Sequence, residues 1–181
     1  MAMKMIMSLP DRWLCGGGDT PFFWTKKRGN KMSHVVGIDF AVDSLDHLAK
    51  AAEACGCELV RNQKTWKWYG QWMDDYDKED AAYKRLGVSP QDYGRCEHAI
   101  RVRGDKSAYE VGVIKNPNGD GFRLVWDFYG SQGAALQSKI GKAGSELTSQ
   151  YTFVRISQEA KQRGKLATMT RKDSKIVITV K

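Results

Sequence analysis

The chain has 181 residues, 41% of them hydrophobic and 28% charged, which is the composition of one ordinary globular domain and excludes a multidomain enzyme. A chain of this size buries roughly 68–70% of its unfolded surface, so neither disulfide nor metal is needed to make a core. The net charge of +8 is unevenly placed: Lys4, Arg12, Lys26, Lys27, Arg28 and Lys31 against Asp11 and Asp19 put half of it in residues 1–31. The remainder is only mildly basic and does not by itself specify an anionic partner.

No apolar run approaches the roughly 20 residues that cross a bilayer, and the N-terminus lacks the continuous apolar stretch of a secretory signal. A cytoplasmic protein with no membrane partner is expected, with Cys15, Cys55, Cys57 and Cys96 as reduced thiols.

Residues 1–31 read as a disordered extension, because Gly16, Gly17 and Gly18 run together, Pro10 and Pro21 interrupt, and no period survives. Lys27, Arg28 and Gly29 are encoded by purine-rich codons that can spell a bacterial ribosome-binding sequence. Met32 is therefore read as the native start, with 1–31 an upstream-start artefact and 32–181 a single domain. Residues 35–42 predict the first strand, with Val36, Ile38, Phe40 and Val42 on one face. Ser44 caps a helix with an apolar stripe of Leu45, Leu48, Ala49 and Ala52, and Gly56 stops it. Residues 57–61 are the second strand.

Residues 62–94 interrupt the pattern. An aromatic run, Trp66-Lys67-Trp68-Tyr69-Gly70-Gln71-Trp72, precedes an acidic run over 74–80, and the whole reads as an insertion folded over the domain. Three strands at hairpin spacing follow over 96–103, 108–115 and 122–128. Glycines at 130, 133, 141 and 144 predict a loop with one helical turn near Leu136. Residues 145–163 predict a long helix with Leu147, Tyr151 and Val154 on one stripe, and residues 165–171 with 175–180 a last hairpin. The order is βαβ, insertion, βββ, α, ββ. This is an α+β fold, a mainly antiparallel sheet with two helices packed on one face.

Several of these segments resemble a known family. They are the opening Met32-Ser33-His34, Cys96-Glu97-His98-Ala99-Ile100-Arg101, Tyr109-Glu110-Val111-Gly112-Val113, Leu124-Val125-Trp126-Asp127-Phe128-Tyr129-Gly130, and Gln150-Tyr151 in a helix before a short hairpin. Together they are similar to the uncharacterised hypothetical-chloroplast-frame-thirty-five family of cyanobacteria, plastids and bacteriophages. The resemblance spans most of 32–181, and Asn62 to Gly70 look like a longer bacterial and phage form. It implies a domain of unknown function and carries over no catalytic residue.

Three constellations invite chemistry. Asn116, Asn118, Asp120 and Asp127 outline a calcium loop, but Pro117 intrudes and strand alternation follows, so a hairpin turn is expected. Cys55, Cys57, Cys96 and His98 supply four soft ligands for zinc, yet their spacing is poor and buried cysteines commonly act as small hydrophobes, so no metal and no cofactor are assigned. His34, His47 and His98 are the only histidines, no phosphate-binding glycine loop with its lysine is present, and Cys96 beside His98 lacks an orienting acid. These shortages point away from an enzyme.

The aromatic run divides two readings. Trp66, Trp68 and Trp72 interleaved with Arg61, Lys64 and Lys67 would suit stacking on unpaired bases of a single-stranded nucleic acid. Alternation, however, puts Trp66 and Trp68 together and favours packing, and the nearby carboxylates repel phosphate. The expectation is a non-enzymatic accessory protein that binds a protein partner through Trp66, Trp68, Tyr69, Trp72, Asp74, Asp75 and Asp77.

Overall fold

In the computed structural model, residues 3–7, 35–38, 40–69, 94–116, 119–172 and 175–181 are described. Strand β1 is Met3–Met7, β2 Val35–Gly37, β3 Cys57–Arg61, β4 His98–Val102, β5 Val111–Lys115, β6 Phe122–Asp127, β7 Ala167–Lys172 and β8 Lys175–Val180. Helix α1 is Leu45–Ala54, α2 Gly130–Ile140 and α3 Ser145–Gln162. The fold is α+β, as the element order predicts.

Five strands form one antiparallel sheet in the order β2-β6-β5-β4-β3. Alternation decides its faces. Val111 stands opposite Ile100, Val113 opposite Leu124, and Cys57 opposite Val102, so these side chains share the face that the helices cover. There they meet Leu48 and Ala51 of α1, Leu136 and Ile140 of α2, and Leu147 and Tyr151 of α3 in one continuous core. Strands β2 and β3 lie at opposite edges, so α1 spans the sheet between them. Ser44 caps α1 by accepting from the His47 N–H at 3.3 Å, and Gly56 at φ +73° takes the left-handed turn that releases the chain into β3. The Tyr151 hydroxyl fastens the same corner, accepting from the N–H groups of Asp43 and Ser44 and donating to the Asp43 carboxylate.

The second sheet has the order β1-β8-β7. Its β7–β8 hairpin is the predicted one, and Ile176 and Ile178 are buried beneath it.

Four expectations are corrected. Residues 3–7 form a strand paired with β8, Met3 opposite Val180, because backbone pairing to an open strand edge needs no apolar period of its own. The first strand is only three residues long, and Val36 is 46% exposed: it faces the core side opposite Trp126, but at the sheet's edge where no helix covers it. Residues 130–140 form a full helix, not a loop. Gly133 is there because a Cβ would lie 2.2 Å from the Phe128 carbonyl carbon, so it permits close packing and does not break the helix. Val154 lies outside the fully buried stripe of α3, which runs through Leu147, Tyr151 and Ala160. The ends of the Asn116–Gly121 connection pair as the expected hairpin requires, with the Asn116 N–H on the Gly121 carbonyl at 3.1 Å; Pro117 and Asn118 lie outside the described residues.

Candidate functional site

The opposite face of the five-stranded sheet carries a row of small residues. Ala99 stands beside Gly112, and Gly112 beside Val125. The row leaves a shallow trough, and residues 63–69 lie in it as a strap. Asn62 turns the chain out of β3 in a left-handed conformation at φ +60°, which asparagine tolerates, and its N–H donates to His98 Nδ1 at 3.0 Å. From there Trp66 and Trp68, each 2% exposed, pack with Cys96, Ala99, Ile114 and Val125 in a second core. The two indoles stack at 5.6 Å with an interplanar angle of 25°. Trp66 rests on Gly112, where a Cβ would come within 2.8 Å of the ring. Each buried indole removes about 150–250 Å² from water, an upper bound of about 4–6 kcal/mol before ordering is charged against it.

Two buried carboxylates pin the strap. Glu110 Oε2 accepts from the Lys67 N–H at 2.9 Å and from Gln63 Nε2 at 2.8 Å, while the Glu110 N–H donates to the Lys67 carbonyl at 3.0 Å. Asp127, 1% exposed, accepts from the Tyr69 N–H at 3.3 Å and the Tyr129 N–H at 2.8 Å. The alternate amides of Lys67 and Tyr69 thus reach two places on the sheet, the residue just before β5 and the last residue of β6. An ionised acceptor makes such bonds worth about 1.5–3 kcal/mol each, which offsets the desolvation of the carboxylates. Around Asp127, the Tyr69 and Tyr129 rings meet at 4.5 Å, and Tyr129 is 44% exposed. Burial, and next the charge of Asp127, push the Tyr109 hydroxyl above its usual pKa.

These positions revise the expected site. Trp66 and Trp68, expected as partner contacts, are core residues with no surface to offer, because the small-residue trough swallows both rings. Tyr69 is partly exposed at the strap's end. Trp72, Asp74, Asp75 and Asp77 lie outside the described residues. Of the cations proposed for nucleic acid, Arg61 pairs with Asp46 at 2.5 Å and Lys67 Nζ donates to the Lys106 carbonyl at 2.9 Å, while Lys64 is exposed.

The thiol and imidazole set is not brought together. Cys57 stands opposite Val102 and His98 opposite Arg61, four positions along the strands, which is about 13 Å at ~3.3 Å per residue. Cys96 Sγ instead donates to the Gln63 carbonyl at 3.1 Å, and burial pushes the Cys55, Cys57 and Cys96 thiols up to about 12, 11 and 12. Among the described residues no three His, Cys, Asp or Glu side chains are placed to share a metal ion. No helix among them is long and apolar enough to cross a membrane.

The sequence pattern does not single out Glu110 and Asp127, because each sits at an outward position of an alternating strand, where a carboxylate is ordinarily solvated. The available signal is the aromatic run itself, which needs somewhere to lie. No family model, curated protein or solved structure matches this chain.

Proposed function

We propose that this chain is a non-enzymatic accessory protein that binds a protein partner through its 62–94 insertion, and that it is related to the hypothetical-chloroplast-frame-thirty-five family its motifs resemble. The observation that carries the reading is the anchoring of the strap. Both ends of the insertion are held: Tyr69 by Asp127, and the far side by the Cys96 N–H on the Lys64 carbonyl at 3.0 Å and the Thr65–Arg95 bridge. An insertion whose two ends are fixed loses less conformational freedom on binding than one on a loose tether. Its sequence, with Trp72 ahead of five carboxylates over 74–80 and Tyr76 among them, supplies aromatic side chains and negative charge that complement a basic protein patch.

The alternative, single-stranded nucleic acid, loses support from the burial of Trp66 and Trp68, two of the three rings that would have stacked on bases. One experiment separates the two. Purifications of the wild type, of Tyr69→Ala with Trp72→Ala, and of Asp74→Lys with Asp75→Lys and Asp77→Lys from the native cell are compared for protein and nucleic acid in the eluate. Both variants are expected to fold, judged by circular dichroism, and to lose the protein partner. Tighter oligonucleotide binding by the charge-reversed variant, with a steeper salt dependence and no protein recovered, refutes the proposal in favour of nucleic acid.

A further inference from the structure

A cavity of about 430 Å³ lies away from the strap, between α3, residues 40–41 and β8. Its size is that of a small-molecule site. Phe40, Ile156, Ala160, Ile178 and Val180 give it apolar walls. Its polar lining is unequal in sign: Arg155, Arg163 and Lys165 against Glu159 alone. Arg155 is already shared between Asp43 at 3.5 Å and Glu159 at 3.4 Å. Arg163 and Lys165 form no ion pair among the described residues and stand exposed where α3 ends.

Their position follows from the helix stop. Gly164 at φ +66° turns the chain back, with the Lys165 N–H on the Ala160 carbonyl at 2.8 Å and the Gly164 N–H on the Lys161 carbonyl at 3.0 Å. The Ala160 and Lys161 carbonyls at the end of α3 are thereby satisfied by backbone N–H groups and need no cation to cap them. An apolar chamber with two uncommitted cations at its rim is complementary to a molecule with an aliphatic tail and one anionic head. A neutral tail would leave the rim charges unmatched, and a cationic head would be repelled by them.

We infer that this cavity binds a free single-chain aliphatic carboxylate, with the tail against Ile156, Ile178 and Val180 and the carboxylate between Arg163 and Lys165. The test uses the full chain and dodecanoate below its micelle concentration, read by isothermal titration calorimetry and by isoleucine methyl shifts in NMR. Saturable one-to-one binding that moves the Ile156 and Ile178 methyls is expected, weakening as salt screens the rim. Dodecanol, with the same tail and no charge, should bind at least about tenfold more weakly. Arg163→Glu with Lys165→Glu, both at exposed positions, should keep the circular dichroism spectrum and weaken dodecanoate by about tenfold or more. Equal binding of dodecanol, unchanged affinity in the reversed variant, methyl shifts elsewhere only, or no binding at all would each overturn the inference. The strap variants described above should bind dodecanoate normally, so this outcome is independent of the partner reading.

Discussion

Replacing Gly112 by alanine tests whether the strap is seated as described. The backbone of Gly112 lies outside the left-handed region, so alanine is sterically permitted by the chain itself. It should even gain about 0.4–1 kcal/mol by restricting the unfolded state. Against that, the new Cβ would stand 2.8 Å from Trp66 Cδ1, 2.8 Å from Val125 Cγ2 and 2.9 Å from Trp66 Cγ. Carbon atoms attract best at about 3.5–4.0 Å, so Trp66 must withdraw by roughly 0.7 Å or more. The atoms struck are at the base of a buried indole stacked on Trp68, not at the free end of a flexible chain. Overpacking of this kind costs about 1–3 kcal/mol, so the middle of the two ranges leaves a net loss of about 1.3 kcal/mol. Urea unfolding followed by tryptophan fluorescence and circular dichroism reads it as a lower midpoint at unchanged slope. In a Trp66→Ala background, itself costing about 3–5 kcal/mol, only the contact with Val125 Cγ2 remains, so Gly112→Ala should cost clearly less than it does in the wild type. A Gly112→Ala change within about 0.5 kcal/mol of wild type, or an equal cost in both backgrounds, would mean that Trp66 does not rest on this glycine.

Three further outcomes follow from the same packing. Tyr151→Phe removes the hydroxyl that accepts from the Asp43 and Ser44 N–H groups at 3.0 and 3.1 Å, and should lower stability by about 1–3 kcal/mol in urea titrations. The Tyr151 hydrogen bond is also the main cause holding the Asp43 carboxyl below its usual range, a contribution present above about pH 4 and lost on acidification; carbon NMR should show that pKa rising in the variant. His98, whose Nδ1 must be unprotonated to accept from Asn62, has its pKa lowered by burial below 6.5. The unfolded chain takes up the proton first as pH falls, so stability should drop below about pH 6.5, and His98→Asn should flatten that part of the profile. Finally, Cys55 at about 12 against the ordinary 9.0 has a thiolate fraction about a thousandfold below that of a free thiol. Iodoacetamide should label Cys55, Cys57 and Cys96 rapidly only in denaturant, as mapped by peptide mass spectrometry.

The order of strands and helices was legible because its signals are local. Strand β3, the β7–β8 hairpin and α3 are all bounded by alternation or by a stop such as Gly164. What the sequence concealed was proximity. Gly133 looks like a helix breaker until Phe128 is found against it, and Gly112 looks like a weak strand position until Trp66 is found above it. Glu110 and Asp127 are outward by alternation, and outward ordinarily means wet. The burial of Trp66 and Trp68 was foreshadowed by their sharing a face, but the trough that receives them is assembled from three strands, and no single segment announces it.

This two-sided construction sets where the domain can yield. The helix face is closed by three helices and a continuous core, so opening it amounts to unfolding. The other face is closed by the strap, with its two indoles and the hydrogen bonds to Glu110 and Asp127. Lifting the strap would expose the indoles, which opposes it, but would also return two buried carboxylates to water, which favours it. Rehydration of the carboxylates therefore offsets part of the cost of baring the rings and breaking their hydrogen bonds. Wrapping the sheet with a strap that is well seated yet separable from the main core gives the insertion a defined base. Any pull on the insertion would be taken up by residues 63–69, through the bonds of Gln63, Lys67 and Tyr69 to Glu110 and Asp127 and of the Lys64 carbonyl to the Cys96 N–H, before it reached the helices behind the sheet.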